Sequence, residues 1–341
     1  MTKLVNLLQR LWAGERGSGP AALGIIARPG AAAFSSVVRV RNSLYDARIL
    51  PTSSAHIPVI SVGNLAVGGT GKTPITAWLV RELLSRSWLP AIVTRGYGED
   101  EVLLHRRWNP DVPVIVSKRR FGGVQEAQAM GRNIAVIDDG FQHRQLKRDV
   151  DVVLLSPAHP LPAKLLPRGP FREPLRSLRR AHLVLVTAKG THELARAQAL
   201  MVELRRLLGS LSIEVFAFST GPWQMLDGQP RPPPPGGALV LCSIGEPKGF
   251  QRNVEVTSGE STELLALRDH HVYTEIEVRR ISHRAGPRWI ATTEKDAVKL
   301  APFRELLTNV RVLPLVPTVP ETLVDRVVQP LGTLEAPRRL G

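Results

Sequence analysis

The sequence predicts an α/β protein: a mainly parallel sheet covered by helices, followed by a smaller unit of the same kind. Three observations predict it. From His56 onward, short apolar runs of strand length alternate with helical segments, the pattern of a parallel sheet buried on both faces. A glycine-rich stretch, VGNLAVGGTGKTP (62–74), stands between the first such run and the first helix of that region. A proline-rich connector, QPRPPPPGGA (229–238), divides the long alternation from a shorter one, and such a run can be neither helix nor central strand.

Taken in order, residues 58–62 read as a buried strand, and the helix after the glycines runs from Pro74 to about Arg86. Residues 91–94 and 112–116 are further strands, and 125–131 a short helix. A strand over 133–137 ends at Asp138-Asp139-Gly140, and 150–155 and 183–187 are apolar runs of strand length. A helix covers 191–208, and 214–219 alternates like a strand. Beyond the connector come a strand over 238–242, a helix near 248–254, and strands around 264–267 and 288–292. The expected organisation is an N-terminal amphipathic segment (1–50), a nucleotide-binding domain (51–212), a linker (213–236) and a smaller domain (237–330).

Hydrophobic residues make up 43% of the 341 and charged residues 22%, a globular balance. Lys and Arg total 45 against 30 Asp and Glu, a net +15 that calls for an anionic partner such as a nucleotide, a phospholipid surface or nucleic acid. Only 5% of residues are aromatic, which disfavours a base-stacking surface. Cys242 is the single cysteine, so disulfides and multi-cysteine zinc sites are excluded; a buried strand position is expected for it. No stretch is free of interruption for the roughly 18 apolar residues of a membrane span; Arg28, Pro29, Gly30, Ser35 and Ser36 break the best one. Instead Leu4, Leu7, Leu8, Leu11 and Trp12 recur at helical spacing near Lys3 and Arg10, and Phe34, Val37, Val40 and Leu44 do the same beside Arg39, Arg41 and Arg48. An apolar face with a basic fringe suits an anionic membrane surface as well as a domain face.

Ligands of an open parallel sheet bind beyond the carboxyl ends of its strands. At the first end, Gly68, Gly69, Thr70, Gly71, Lys72 and Thr73 form a phosphate loop, although Ala66 stands where the common pattern has its first glycine. Backbone N–H groups and the helix start would cradle phosphate, Lys72 would reach its outer oxygens, and Thr73 would meet Mg2+. At the second end Arg95 is a candidate phosphate contact; at the third, Asp138 and Asp139 suit a metal–nucleotide site. A group that activates an attacking hydroxyl is open among Asp100, His143, His270 and His271. Thr293 is placed to cap a helix with Asp296 in its first turn.

The stretches VGNLAVGGTGKTP, TRGYG, IDDGFQHRQLKRDVDVVLL, LLPRGPFREPL and TTEKDAVKL, in this order, resemble the tetraacyldisaccharide 4'-kinase family over roughly residues 35–325. The resemblance implies a P-loop NTPase-like α/β/α domain and a second α/β/α domain joined by a two-stranded linker. It implies transfer of the ATP γ-phosphate to the 4'-hydroxyl of an acylated glucosamine disaccharide 1-phosphate. It further implies a peripheral enzyme at the cytoplasmic face of the bacterial inner membrane; a monomer with no nucleic-acid partner is expected. Ala66 and Val67 join the ATP loop on this reading. Thr73, Asp138, Asp139 and Glu173 surround Mg2+, while Asp100 and His270 form a catalytic dyad in which Asp100 accepts the proton. Two departures from the family stand out: Glu99 replaces a glycine before Asp100, and an insertion usual after Gly98 is missing. A regulatory GTPase or metallochaperone is the alternative, weakened by the lack of an Asn-Lys-x-Asp motif; a basic nucleic-acid ATPase is the third.

Overall fold

The computed structural model describes residues 7–8, 11–12, 18–96, 98–159, 161–318, 320 and 322–331. Lys3, Leu4, Arg10 and Tyr97, named above, lie outside them. Two sheets organise the chain. The larger has eight strands in the order β12-β7-β6-β5-β1-β4-β2-β3, where β1 is Val59–Asn64, β2 Pro90–Thr94, β3 Val114–Val116, β4 Ile134–Asp138, β5 Val150–Leu155, β6 Leu183–Ala188, β7 Ile213–Thr220 and β12 Leu315–Thr318. All its pairings are parallel except β7 with β12. Strands β1, β2, β4, β5 and β6 are buried at every position, which is why their sequences are runs of Val, Ile, Leu and Ala rather than alternations. The second sheet, β11-β10-β8-β9, is wholly parallel, with β8 Ala238–Cys242, β9 Thr262–Ala266, β10 Trp289–Thr292 and β11 Val310–Val312.

Helices cover both faces of the larger sheet. One core joins Ile75, Leu79 and Leu83 of α2 (Lys72–Ser85) to Ile60, Ile92 and Leu154 of the strands. The opposite core joins Ala197 and Leu204 of α5 (Thr191–Leu208) to Val153, Val184 and Val186. The other helices of this unit are α1 (Ser18–Asp46), α3 (Glu99–Trp108) and α4 (Arg120–Ala129). The second sheet carries α6 (Pro247–Ser258), α7 (Glu275–Ala285) and α8 (Glu294–Leu300).

Three sequence expectations need revision. The whole of 237–330 was assigned to the smaller domain. The chain instead returns at β12, antiparallel to β7, and α9 (Thr322–Val328) packs Leu323, Val324 and Val327 into the first core. A four-residue edge strand that includes Pro317 leaves no legible alternation. The sequence reading has no helix between the strands at 91–94 and 112–116, yet Glu99, Asp100 and Glu101 form the first turn of α3, where acidic side chains suit the helix dipole. The interruptions seen around Arg28 and Pro29 do not break α1, which runs through Pro29 for 29 residues. By length and composition alone, Ala22–Asp46 is long and apolar enough to cross a membrane. Its far end is tied to the first domain: Asn42 donates to Glu173 Oε2 at 2.7 Å, and Arg144 pairs with Asp46 at 2.8 Å. Ile25, Ile26, Val37 and Val40 stand exposed along it.

Candidate active site

The phosphate loop links β1 to α2, next to the ends of β4 and β5 that flank β1. Gly68 (φ 123°) and Gly71 (φ 87°) take the left-handed torsions that side chains resist; Gly69 does not need one. Asn64 Nδ2 donates to Thr70 Oγ1 at 3.0 Å inside the loop, and both residues are fully buried. Ala66 serves a different purpose from the one expected. It is fully buried and bridged to Phe171, while Val67 N donates to Pro170 O and Arg172 N to Leu65 O. The RGPFRE stretch thus lies beside the loop as a strap, and Ala66 faces it rather than the cleft. Val67, the remaining loop residues and Arg95 do line the cleft, which measures about 600 Å3.

Asp138 ends β4 beside the loop and is 2% exposed. Its Oδ2 is held 2.9 Å from His105 Nε2, a fully buried imidazole on α3. Its Oδ1 is buried without a hydrogen-bond partner. Asp139 takes a left-handed φ of 57°, turning its carboxylate to Lys72 Nζ at 3.7 Å and Arg172 Nη1 at 3.0 Å. Burial alone would raise Asp139, but Lys72 and Arg172 outweigh it and hold the carboxyl below its ordinary range. Thr73 opens α2 at 9% exposure and lines the same wall. Glu101 points there too. Burial and the charge of Asp138 push it up to about 7.

The opposite wall comes from the second unit. Gly245 packs so closely over the loop that a Cβ on it would lie 2.7 Å from Gly69 N. Glu246 reaches back to Ser156 Oγ at 2.9 Å and Lys189 Nζ at 2.8 Å, and Lys189 Nζ also donates to Gly69 O. Trp108 Nε1 donates to Glu294 Oε1 at 2.9 Å, fastening α3 to α8. Between these ties, His270 Nδ1 meets Asp100 Oδ1 at 3.0 Å. His270 takes a left-handed φ of 57° and lines the cleft, whereas Asp100 is 2% exposed and stands behind it. Burial would raise Asp100, but the bond from His270 and the charges of Lys295, His270 and Lys299 draw it down to about 2. The same bond lifts His270 above its ordinary value against burial and Lys295.

The other imidazole candidates go elsewhere. His271 meets Glu277 at 2.7 Å and stacks edge-on against Tyr273. His143 is lowered by burial and by Arg120, Arg148 and Arg95, and is not part of the cleft wall. The missing insertion and the Glu99 substitution leave the dyad intact, because Gly98 caps α3 and Asp100 falls in its first turn. Gly98 is required by space: a Cβ there would overlap both Asp100 Oδ1 and His270 Nδ1. Glu173 does not join the carboxylates. It is buried against Arg180 at 3.1 Å, Asn42 at 2.7 Å and Arg41 at 3.6 Å, apart from the cleft. Sequence reasoning missed His105, Arg172, Lys295 and Lys299. TTEKDAVKL had been singled out, and its spacing of two lysines four apart was the available signal. Thr293 does cap α8, accepting from Asp296 N at 3.1 Å. Cys242 is fully buried, its thiol pushed up to about 12.

A glycine loop before a helix, a carboxylate pair on the neighbouring strand and an Asp–His pair across the cleft match a P-loop phosphotransferase. The family model for tetraacyldisaccharide-1-P 4'-kinase matches residues 23–102 and 98–331. A tetraacyldisaccharide 4'-kinase of Anaeromyxobacter dehalogenans (strain 2CP-1) is 37% identical over 332 residues, 86% of each chain. That of Chlorobaculum tepidum is 33% identical over 319 residues, 84% of this chain and 89% of its own. The crystal structure of LpxK from Aquifex aeolicus in complex with ATP superposes with a TM-score of 0.70 at 25% identity, covering 90% of this chain and 99% of that one. This chain belongs to the tetraacyldisaccharide 4'-kinase family, the ATP-dependent kinases of lipid A biosynthesis; the regulatory GTPase and nucleic-acid alternatives fall away.

Proposed function

We propose that the cleft phosphorylates the 4'-hydroxyl of tetraacyldisaccharide 1-phosphate with His270 as the group that takes the proton. The observation that carries this reading is the Asp100–His270 pair, formed across the two units at 3.0 Å with only His270 open to the cleft. With Nδ1–H donated to Asp100, Nε2 carries the lone pair of the neutral ring, with Lys295 Nζ 3.5 Å from it. The hydroxyl oxygen attacks the γ-phosphorus as its proton passes to Nε2, the bond to the bridging oxygen breaks, and ADP leaves. Asp100, buried and anionic, steadies the imidazolium that forms. This reverses the expected order, in which Asp100 took the proton directly.

The loop N–H groups and Lys72 hold the ATP phosphates, and Arg95 and Arg172 border the transferring group. Asp138 Oδ1, buried and unbonded, fits Mg2+ together with Thr73 and Asp139. Among the described residues no cluster of three or more His, Cys, Asp or Glu is arranged to hold a metal, so an Mg2+ here would take the rest of its shell from substrate phosphates and water. When bound, Mg2+ would supply neutralising charge to the transferring phosphate. Gly245 and Glu246, closing over the loop, exclude water. The exposed apolar row of α1 with Arg28 and Arg39 suits the cytoplasmic face of the inner membrane, where a monomer would meet its lipid acceptor.

The test is phosphate transfer from Mg-ATP to tetraacyldisaccharide 1-phosphate in mixed micelles. Wild type should label the lipid and Lys72→Ala should not. Equal rates for the two would refute the site, and no labelling by wild type would refute the acceptor.

A further inference from the structure

We propose that Lys295 and Lys299 are positioning residues for the Asp100–His270 pair: two ammonium groups on successive turns of α8 that set a carboxylate of the other unit for proton uptake. The inference rests on the kinase reading above. Asp100 Oδ1 is occupied by His270 Nδ1 and by Glu101 N, each at 3.0 Å. Oδ2 is buried with no hydrogen-bond partner, yet it lies 3.7 Å from both Lys295 Nζ and Lys299 Nζ. Two ammonium groups thus face that oxygen.

Neither ammonium is placed by Asp100 itself. Lys299 Nζ is fixed 2.9 Å from Asp296 Oδ1 and 2.5 Å from Ser243 Oγ. Asp296 is fully buried and receives Ser243 N at 2.9 Å, Tyr273 OH at 3.0 Å and Thr293 Oγ1 at 2.8 Å. Lys295 Nζ is bound to Asp269 Oδ1 at 2.8 Å and stands 3.5 Å from His270 Nε2. The second unit therefore holds a preset frame into which α3 delivers Asp100. Adhesion does not require it, since Trp108 and Glu294 already tie the two helices. Three carboxylates (Asp100, Asp269, Asp296) face two ammonium groups, so the cluster reaches neutrality when His270 carries a proton. Within it the carboxylates favour the imidazolium that forms during transfer while the Lys295 charge opposes it, so the lysines act by fixing Asp100 rather than by stabilising the charged ring.

Lys295→Met, Lys299→Met and Lys295→Arg are compared with wild type and Asp100→Asn for lipid phosphorylation across pH, with the KM for ATP and the Tm of each. Both methionine variants should lower kcat on the order of tenfold, a part of the roughly 100- to 10,000-fold that a positioned base supplies. The KM for ATP should hold. His270 is faced by Asp100 from α3, Asp269 from its own loop, Lys295 from α8, and more distantly Glu101. Removing the cation at 295 should therefore move the acid limb of kcat to higher pH, and Lys295→Arg should restore it. In an Asp100→Asn background, Lys295→Met should cost less than it does alone. Lys299 also neutralises Asp296, so Lys295→Met, at a side chain 20% exposed, carries the test if Lys299→Met fails to fold. A wild-type kcat and unmoved limb in Lys295→Met, or an undiminished loss in the double variant, overturns the proposal while the kinase reading stands. A wild type inactive on the lipid overturns both.

Discussion

Gly98→Ala perturbs the dyad without touching either member. The backbone at Gly98 is extended, with φ −136°, so alanine brings no torsional strain there. The conflict is one of space, because the new methyl would overlap Asp100 Oδ1 and His270 Nδ1 and lie 2.9 Å from His270 Cε1. Restoring ordinary carbon contact of about 3.5–4.0 Å moves the ring by ~0.6–1.1 Å. Added to a bond of 3.0 Å, that carries the pair past the ~3.5 Å at which a hydrogen bond is lost. A hydrogen bond to a charged group is worth about 1.5–3 kcal/mol, so kcat should fall by roughly 10- to 150-fold. The assay is lipid phosphorylation at saturating Mg-ATP, with nucleotide affinity measured alongside; the latter should not change, since Gly98 does not line the cleft. A Gly98→Ala enzyme with wild-type kcat would refute the reasoning, because the pair could then separate without consequence.

Three further outcomes follow from the same geometry. In Asp100→Asn, His270 loses the largest contribution that raises it; the neutral imidazole is the active form, so the acid limb of kcat should move to lower pH, measured by rate against pH. His105→Ala leaves Asp138 Oδ2 without its partner at 2.9 Å; metal affinity, read as the Mg2+ concentration for half-maximal nucleotide binding, should weaken by roughly 10- to 100-fold. Ala66→Gly restores the common loop pattern but loosens the bridge to Phe171; it should lower stability by about 0.5–1 kcal/mol in a urea melt and leave kcat unchanged.

The sequence by itself determined the parts that depend on neighbours along the chain. A buried strand, a glycine turn and a helix start are local, so Gly68–Thr73 and Asp138-Asp139 could be placed from their order alone. Gly98, Asp100, His270 and the TTEKDAVKL segment were visible as motifs too. What joins them is contact between residues about 170 apart in sequence, such as Asp100 and His270, and no periodicity encodes such a contact. Glu173 shows the cost of reading by motif: its carboxylate stands close in sequence to Arg172, which does reach Asp139, yet it turns the other way to Arg180 and α1. Ala66 shows the converse, an apparent defect in a loop that the strap beside it explains. The order proposed for the dyad rests on tertiary burial alone, because both members are ordinary titratable groups in the sequence. Packing α3 against α8 leaves Asp100 dry and charged between two lysines, and leaves His270 as the member that the cleft can reach.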